Sequence, residues 1–349
     1  MVDRNTIKKQ IDEAKIIERI NTNDSLKIAK KALEIAIQNN YKREELRALI
    51  VIGRCYCIMG EFSEASATLT EALDKAKKQR QYYEIAEVEA SLGNIFITLG
   101  LHLDAIKHYN NALKYATSRG FTDLESRVFN NIGTIHEEFH DYDNAISYYE
   151  RSKYAAKKVE DAYLSAIGSV NLGNVFLAKG EYNKSLVHLE EALIYAEESN
   201  KNILLAHIHL AYGQYYKEQK DCQKSVNHLL KGIKYAEISN DTYVLVRIHI
   251  ELANVFHLNN ENNQAIEYFN KAEEIAKRLG FKNYTVTIYE EMALFYQKIN
   301  EPELAQKYLI EYYKATKERE KNRVGERLKT INFQEELKVT KKGYEETKN

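Results

Sequence analysis

Side chains that can hydrogen-bond an extended peptide recur at a fixed interval along this sequence. Asn94, Asn174 and Asn254 stand eighty residues apart, and Arg54 and Gln214 fall in the same forty-residue frame. Asparagine is a mediocre helix former, so its return on a helical background calls for a reason. An amide carries donor hydrogens and an acceptor oxygen, which match the N–H and C=O groups of a peptide backbone. The alternative is that these amides bond neighbouring helices.

A second polar row lies three residues before positions of this frame, and a third row is basic. Asn131 and Asn171 form the second row, and Arg47, Arg127 and Arg247 share one further position. A guanidinium group can hold a carboxylate through two parallel hydrogen bonds. The same arginines could instead pair with nearby glutamates at the surface, where such pairs contribute little. Both interpretations stay open at this point.

Cysteine and histidine do not predict a metal site. Cys55 and Cys57, two residues apart on a helix, point about 200° away from each other. His249 and His257 lie about two helical turns apart, but no further thiol or carboxylate completes a set of four ligands. No glycine run precedes a helix as a phosphate-binding loop requires. We therefore expect no enzyme activity, no cofactor and no metal.

The elements that position these side chains are set by a ladder of small residues. Its members stand forty residues apart: Gly53, Gly93, Gly133, Gly173, Gly213, Ala253 and Ala293. A period between twenty and fifty indicates stacked supersecondary units. Each small residue follows a large one and usually precedes an aromatic by three positions, as in Leu92-Gly93 with Phe96. The pattern predicts pairs of helices that approach closely at the small residue.

This spacing resembles the tetratricopeptide repeat over roughly residues 5–315. Matching residues are Leu92, Gly93, Phe96, Ala105, Tyr109 and Ala112 in one unit, and Leu252, Ala253, Phe256, Ala265, Phe269 and Ala272 in another. The usual period of this family is 34, and a proline commonly follows the second helix. Here the period is 40 and that proline is missing. Both departures resemble the long-repeat subclass of bacterial peptide receptors, sensor proteins and cell-polarity adaptors.

The resemblance implies an all-α, right-handed superhelical solenoid of antiparallel helix pairs, with the first helices lining a concave groove. Residues just after the small position, and two before it, would then face the groove. The expected ligand-binding residues are Arg54, Asn94, Asn131, Asn171, Asn174, Gln214 and Asn254, with Arg47, Arg127 and Arg247 beside them. In the long-repeat receptors, asparagines at these positions hold the ligand backbone. The resemblance therefore implies a bacterial signalling regulator that binds a peptide or protein segment.

We expect three segments: a degenerate helical pair that caps the N-terminus (1–44), seven forty-residue units (45–315) and a charged C-terminal helix (316–349). That helix carries two offset seams, Val324, Leu328 and Ile331, then Phe333, Leu337 and Tyr344. It would cap the stack, form a homodimer or lead into a further domain. It resembles the connecting helix after tetratricopeptide sensors in diguanylate cyclases and histidine kinases. The alternative functions are thus the sensory input region of a larger or dimeric signalling protein, or a passive assembly scaffold.

Bulk properties narrow the class of partner. A formal net charge of −1 over 349 residues gives no general attraction to nucleic acid or anionic membranes. Three cysteines do not predict a disulfide framework and fit a reducing compartment. Neither a secretory segment nor an eighteen-residue apolar run is present in the sequence. We expect a cytoplasmic protein that binds neither nucleic acid nor membrane.

Overall fold

The computed structural model describes residues 3–18, 21–280 and 282–346, except for the side chains of 282 and 332–346. Within these ranges the chain forms sixteen α-helices and no β-strand. The helices are α1 (Arg4–Ile17), α2 (Thr22–Gln38), α3 (Lys42–Met59), α4 (Phe62–Lys78), α5 (Tyr82–Thr98), α6 (His102–Arg119), α7 (Thr122–Glu138), α8 (Tyr142–Lys158), α9 (Ala162–Ala178), α10 (Tyr182–Ser199), α11 (Asn202–Glu218), α12 (Cys222–Ser239), α13 (Thr242–Leu258), α14 (Asn262–Leu279), α15 (Lys282–Lys298) and α16 (Pro302–Glu346).

The contacts divide the chain into two compact bodies. The N-terminal body comprises the residues up to Ile135 and those from Asn322 onward, and the C-terminal body comprises His136–Lys321. In each body, odd-numbered first helices pack against even-numbered second helices, as α5 does on α6 and α11 on α12. None of the helices, over the residues described, is long and apolar enough to cross a membrane.

The ladder of small residues makes room for one large side chain of the second helix. A methyl group placed on Gly213 would lie 2.4 Å from Cδ2 of Leu229, and one on Gly53 would lie 2.6 Å from Cγ of Leu69. Both distances are shorter than any real contact, so the leucine occupies the space that a glycine leaves. Each leucine stands sixteen residues after its glycine. The close approach therefore joins glycine to a buried side chain, a partner that the spacing of small residues did not identify.

Aromatic stacking joins the two helices of a unit beside this contact. Phe96 stacks on His108 with ring centres 5.0 Å apart, and Phe176 stacks on His188 at 5.4 Å. Phe256 lies at the same distance, 5.4 Å, from Tyr268. Offset aromatic pairs add about 0.5–1.5 kcal/mol beyond their buried area. The aromatic three residues after the small position is thus explained by a ring twelve residues further on.

A left-handed residue ends the helices every twenty residues, whether or not it is glycine. Positive φ angles of 52–81° occur at Asn40, Gly60, Arg80, Gly100, Gly120, His140, Glu160, Gly180, Asn200, Lys220, Asn240, Asn260, Gly280 and Asn300. At most of these ends the next amide bonds the carbonyl five residues back, as Glu61 N does to Tyr56 O at 2.9 Å. This is the Schellman arrangement, which satisfies the last helical carbonyls. Only five of these fourteen positions carry the glycine that favours it.

Glu160 therefore offers a route to a more stable protein. Its φ is +55° and its side chain is exposed, so Glu160→Gly removes left-handed strain and loses no contact. We expect the free energy of unfolding to rise by about 1 kcal/mol, since left-handed backbone costs other residues about that much. The matched control is Gly180→Ala, where φ is +74° and nothing lies within 4 Å, with an expected loss of similar size. Urea denaturation that ranked the two variants in the opposite order would contradict this account.

The C-terminal helix begins at Pro302 and is one helix to Glu346, so it includes the second helix of the last expected unit. Proline suits this first helical position because the N–H it lacks would have no partner there. Of the first predicted seam, Val324 and Leu328 are half exposed. The side chains of Phe333, Leu337 and Tyr344, the second seam, lie outside the described residues. Homodimerisation through this helix stays a prediction.

Candidate functional site

Two of the predicted asparagines meet across neighbouring first helices. Asn94 of α5 accepts a hydrogen bond at Oδ1 from Nδ2 of Asn131 on α7, at 2.9 Å. The same oxygen accepts a second bond from the hydroxyl of Tyr109, at 2.6 Å. Tyr109 is fully buried, and burial raises the pKa of its hydroxyl, which keeps it protonated as a donor. The positions after one small residue and two before the next therefore lie side by side, on one surface.

This pairing determines which donor and acceptor atoms of the two amides remain unbonded. Both bonds end on Oδ1 of Asn94, so its exposed Nδ2 group keeps its donor hydrogens free within the described part of the chain. Asn131 uses one N–H of its Nδ2 group in this bond, and its own Oδ1 has no hydrogen-bond partner among the described residues. The pair thus offers a donor and an acceptor held in one orientation. The predicted alternative, hydrogen bonding between neighbouring helices, is therefore present. It orients the two amides and leaves one donor group and one acceptor unbonded.

The same pairing of positions recurs in the C-terminal body. Gln214 donates from Nε2 to Oε1 of Glu251 at 2.7 Å, and Lys217 donates to Oε2 of that carboxylate, also at 2.7 Å. Burial opposes the charge of Lys217, but the carboxylate outweighs it and the pKa of the lysine is raised. Burial raises the pKa of Glu291, and a hydrogen bond with Asn254 opposes that shift. This stretch is polar and acidic.

Asn171 and Asn174 lie on α9 and are half-buried. Oδ1 of Asn174 is buried and has no hydrogen-bond partner within the described residues. The position that pairs with it in the next unit is Ala211, which cannot form a side-chain hydrogen bond. Asn174 therefore lacks the contact to the next first helix that Asn94 and Gln214 make, although it occupies the same position in the forty-residue frame.

Two of the predicted arginines form ion pairs with aspartates. Arg47 binds Oδ1 of Asp12 at 2.6 Å. Arg127 lies 3.2 Å from Oδ2 of Asp123 and donates to the hydroxyl of Tyr83, also at 3.2 Å. These contacts fit the interpretation in which the arginines pair with their neighbours.

Arg54 and Arg247 differ in whether a carboxylate pairs with their guanidinium group. Arg54 bridges two buried carboxylates, Glu18 and Glu87, the second at 3.3 Å. Arg247 is half-buried and has no ion-pair partner among the described residues. Its charge opposes the rise in the pKa of Glu137 that burial causes.

Sequence reasoning missed a set of buried carboxylates in the N-terminal body. Glu44 and Glu84 are 5% and 6% exposed, and each faces an arginine. They stand forty residues apart, so the repeat period carried a signal that could have found them. Burying a charge is expensive unless it is paired, which explains the arginines around them. Within the described residues, no group of three or more histidine, cysteine, aspartate or glutamate side chains could hold a metal ion.

Two family models described as tetratricopeptide repeat match the sequence. One matches residues 84–158 and 164–237, and the other matches residues 246–278. Together they cover about half of the chain. The chain belongs to the tetratricopeptide repeat family. The predicted all-α repeat fold is confirmed. No curated protein matches the sequence of this tetratricopeptide repeat chain.

Three solved structures illustrate the likeness in fold. The apo form of the quorum sensor NprR from B. thuringiensis is 16% identical, with 88% of this chain and 86% of that chain covered and a TM-score of 0.65. NprR in complex with its cognate peptide NprX is 16% identical, with 88% and 89% covered and a TM-score of 0.59. Aspartyl phosphate phosphatase F from Bacillus subtilis is 14% identical, with 90% and 95% covered and a TM-score of 0.62.

Proposed function

We propose that this tetratricopeptide repeat protein is a non-enzymatic scaffold that binds an extended peptide, in the manner of a signalling regulator. The observation that carries the proposal is the oriented amide pair Asn94–Asn131. A free Nδ2 donor and a free Oδ1 acceptor on one surface are what a peptide backbone requires. The fold shared with NprR, which binds a cognate peptide, supports the same function.

The C-terminal body supplies a second peptide-facing surface with a different charge. Gln214 and Asn254 lie there beside Glu251 and Glu291, and Lys217 forms an ion pair with Glu251. A ligand segment that carries a basic or amide side chain would meet acceptors at this surface. Amide and acidic side chains alternate along this surface of the C-terminal body. The amides would bond the peptide backbone and supply affinity, and the acids would select peptides with complementary side chains.

Asn94→Asp should weaken peptide binding and leave the fold intact. Aspartate keeps the acceptor oxygen that Tyr109 and Asn131 bond, but it replaces the free amide donor by a negatively charged acceptor. We expect affinity to fall at least tenfold, since an unmet buried hydrogen-bonding group costs about 1–3 kcal/mol. The measurement is capture of a synthetic random hexapeptide library on the immobilised protein, followed by fluorescence anisotropy with the retained peptides.

The matched control is Asn110→Asp, the same change at an exposed position of the second helix α6. It should leave peptide affinity unchanged. Retained peptides that bind Asn94→Asp as tightly as the unaltered protein would overturn the assignment of this pair. Retention of no peptide at all would overturn the proposed function.

A further inference from the structure

The last repeat unit lacks the cover that the six preceding units have. One position of the second helix, sixteen residues after the small residue, is at most 1% exposed in those six units, where it carries Leu69, Tyr109, Tyr149, Leu189, Leu229 and Phe269. The last unit has Leu309 at this position, and Leu309 is 44% exposed. A large apolar side chain that is buried in six units and open in the seventh marks the end of a packing surface.

The cover that the earlier units have is the first helix of the following unit. Tyr149 packs in one cluster with Leu172 of the next first helix, α9. The ring centre of Phe269 likewise lies 5.6 Å from that of Phe295 on α15. After Leu309 the chain continues as the same helix, α16, so the described residues supply no following first helix.

Two further side chains belong to the same uncovered surface. Tyr313, one helical turn after Leu309, is 64% exposed, whereas Leu73 at the equivalent position is 8% exposed. Leu294 is 46% exposed and occupies the frame position at which Asn94 contacts the next first helix. We call Leu294, Leu309 and Tyr313 the end surface. An apolar surface of this kind favours a protein partner, because terminal repeats usually carry a polar outer face.

Charges beside the end surface suit a second copy of the same chain. Glu290 on α15 and Lys317 on α16 are exposed, and neither has an ion-pair partner within the described residues. The small residue of a unit lies beside the residue sixteen positions later, so Leu294 is level with Leu309. Glu290 precedes Leu294 by one turn, and Lys317 follows Leu309 by two turns. Because the two helices are antiparallel, this acid and this base lie on the same side of that level.

We propose that the end surface binds the end surface of a second copy, about a two-fold axis parallel to α15 and α16. Such an axis places α15 of each copy on α16 of the other, in the position that a following first helix would take. Leu294 then packs on Leu309 and Tyr313 of the second copy, and Glu290 pairs with Lys317 of that copy. A two-fold contact is closed, so it yields a dimer rather than a filament.

The first helix of the chain does not offer an apolar surface for a head-to-tail contact. The exposed side chains of α1 are polar or charged except for Ile16. Covering these charges with Leu309 and Tyr313 would remove their water without a compensating partner. The end surface is therefore covered best by its own copy. This inference stands apart from the proposed function, because the amide pair lies in the other body.

Sedimentation equilibrium of the full chain over a range of concentrations tests the proposal. We expect a monomer–dimer equilibrium, and Leu309→Gln/Tyr313→Gln should raise its dissociation constant by about tenfold or more, since it removes apolar area from the contact. The matched control is Val187→Gln/Ile194→Gln, which removes exposed apolar side chains from α10 and should leave the constant unchanged. A chain that is monomeric at every concentration would overturn the proposal. A dimer that tolerates Leu309→Gln/Tyr313→Gln, at an unaltered melting temperature, would also overturn it.

Exchange of the two charges tests the two-fold arrangement. Glu290→Lys and Lys317→Glu should each weaken the dimer, and a chain with both changes should recover most of the affinity, because opposite charges face each other again. Added salt should reduce these differences. Losses that simply add in the doubly changed chain would contradict the pairing. Dissociation by Val324→Gln/Leu328→Gln alone would place the contact in the later part of α16 and would show the proposal to be wrong.

Discussion

Replacing Gly93 by alanine should destabilise the N-terminal body by about 2 kcal/mol, as an extra methyl group forced into a packed core does. The new Cβ would lie 2.5 Å from Cε1 of Tyr109, 2.7 Å from Cδ1 and 2.9 Å from Cζ. The ring cannot yield easily, because it is fully buried and its hydroxyl is held by Asn94 at 2.6 Å. Urea denaturation followed by circular dichroism measures the loss.

Gly325→Ala is the matched control within the same body. Gly325 lies inside α16 with nothing within 4 Å, so alanine there should raise stability by about 0.5–1 kcal/mol through helix propensity. The same substitution thus has opposite signs at the two sites. Tyr109→Ala, which removes the obstructing ring, should make Gly93→Ala far less costly when the two are combined. Equal effects at Gly93 and Gly325, or full additivity with Tyr109→Ala, would contradict the packing account.

The period of the small residues was enough to predict the family and the helix pairs, because one repeat is one packing unit. It did not identify the partner of each glycine, since a buried Tyr109 and a buried Leu229 perform the same task in different units. The helix ends were harder still. Glycine marks five of the left-handed ends, whereas His140 and Glu160 adopt the same conformation without it. There the packing of the stack overrides the preference of the residue.

The sequence predicted which residues of the candidate site share a surface, but it did not predict which of them form hydrogen bonds with each other. The frame placed Asn94 and Asn131 on one surface, and the structure brings them to 2.9 Å. It could not distinguish Asn174 from Asn94, because the difference lies in the neighbouring unit, where Ala211 stands in place of a polar partner. Glu44 is buried beside a cavity between α1, α3 and α5, so its burial depends on three helices at once. Such burial is a property of packing that no single stretch of sequence displays.

Mild acid should destabilise the C-terminal body through two buried histidines. Burial lowers the pKa of His209 to about 4, with the charges of His228 and Lys231 acting in the same direction. Burial also lowers the pKa of His249 to about 4, helped by Lys271. An unfolded histidine takes up its proton near pH 6.5, so the unfolded state binds protons first as the pH falls. Stability is therefore full above about pH 6.5 and declines until the pH reaches about 4.

Between pH 6.5 and 5 the expected loss is about 2 kcal/mol for each histidine, from about 1.4 kcal/mol per pH unit. Glu137 and Glu291 act in the opposite direction, because burial raises their pKa and favours their protonated forms in the folded body. The contribution of one histidine is therefore measured as a difference between two proteins.

His249→Phe is the suitable variant, since Nδ1 of His249 has no hydrogen-bond partner within the described residues and the ring packs against Tyr268 at 5.6 Å. The free energy of unfolding of this variant, minus that of the unaltered chain, should be constant above pH 7. It should then grow as the pH falls to 5. A difference that stays flat over the whole range would show that His249 titrates alike in the folded and unfolded states, and that its burial does not exclude the charged form.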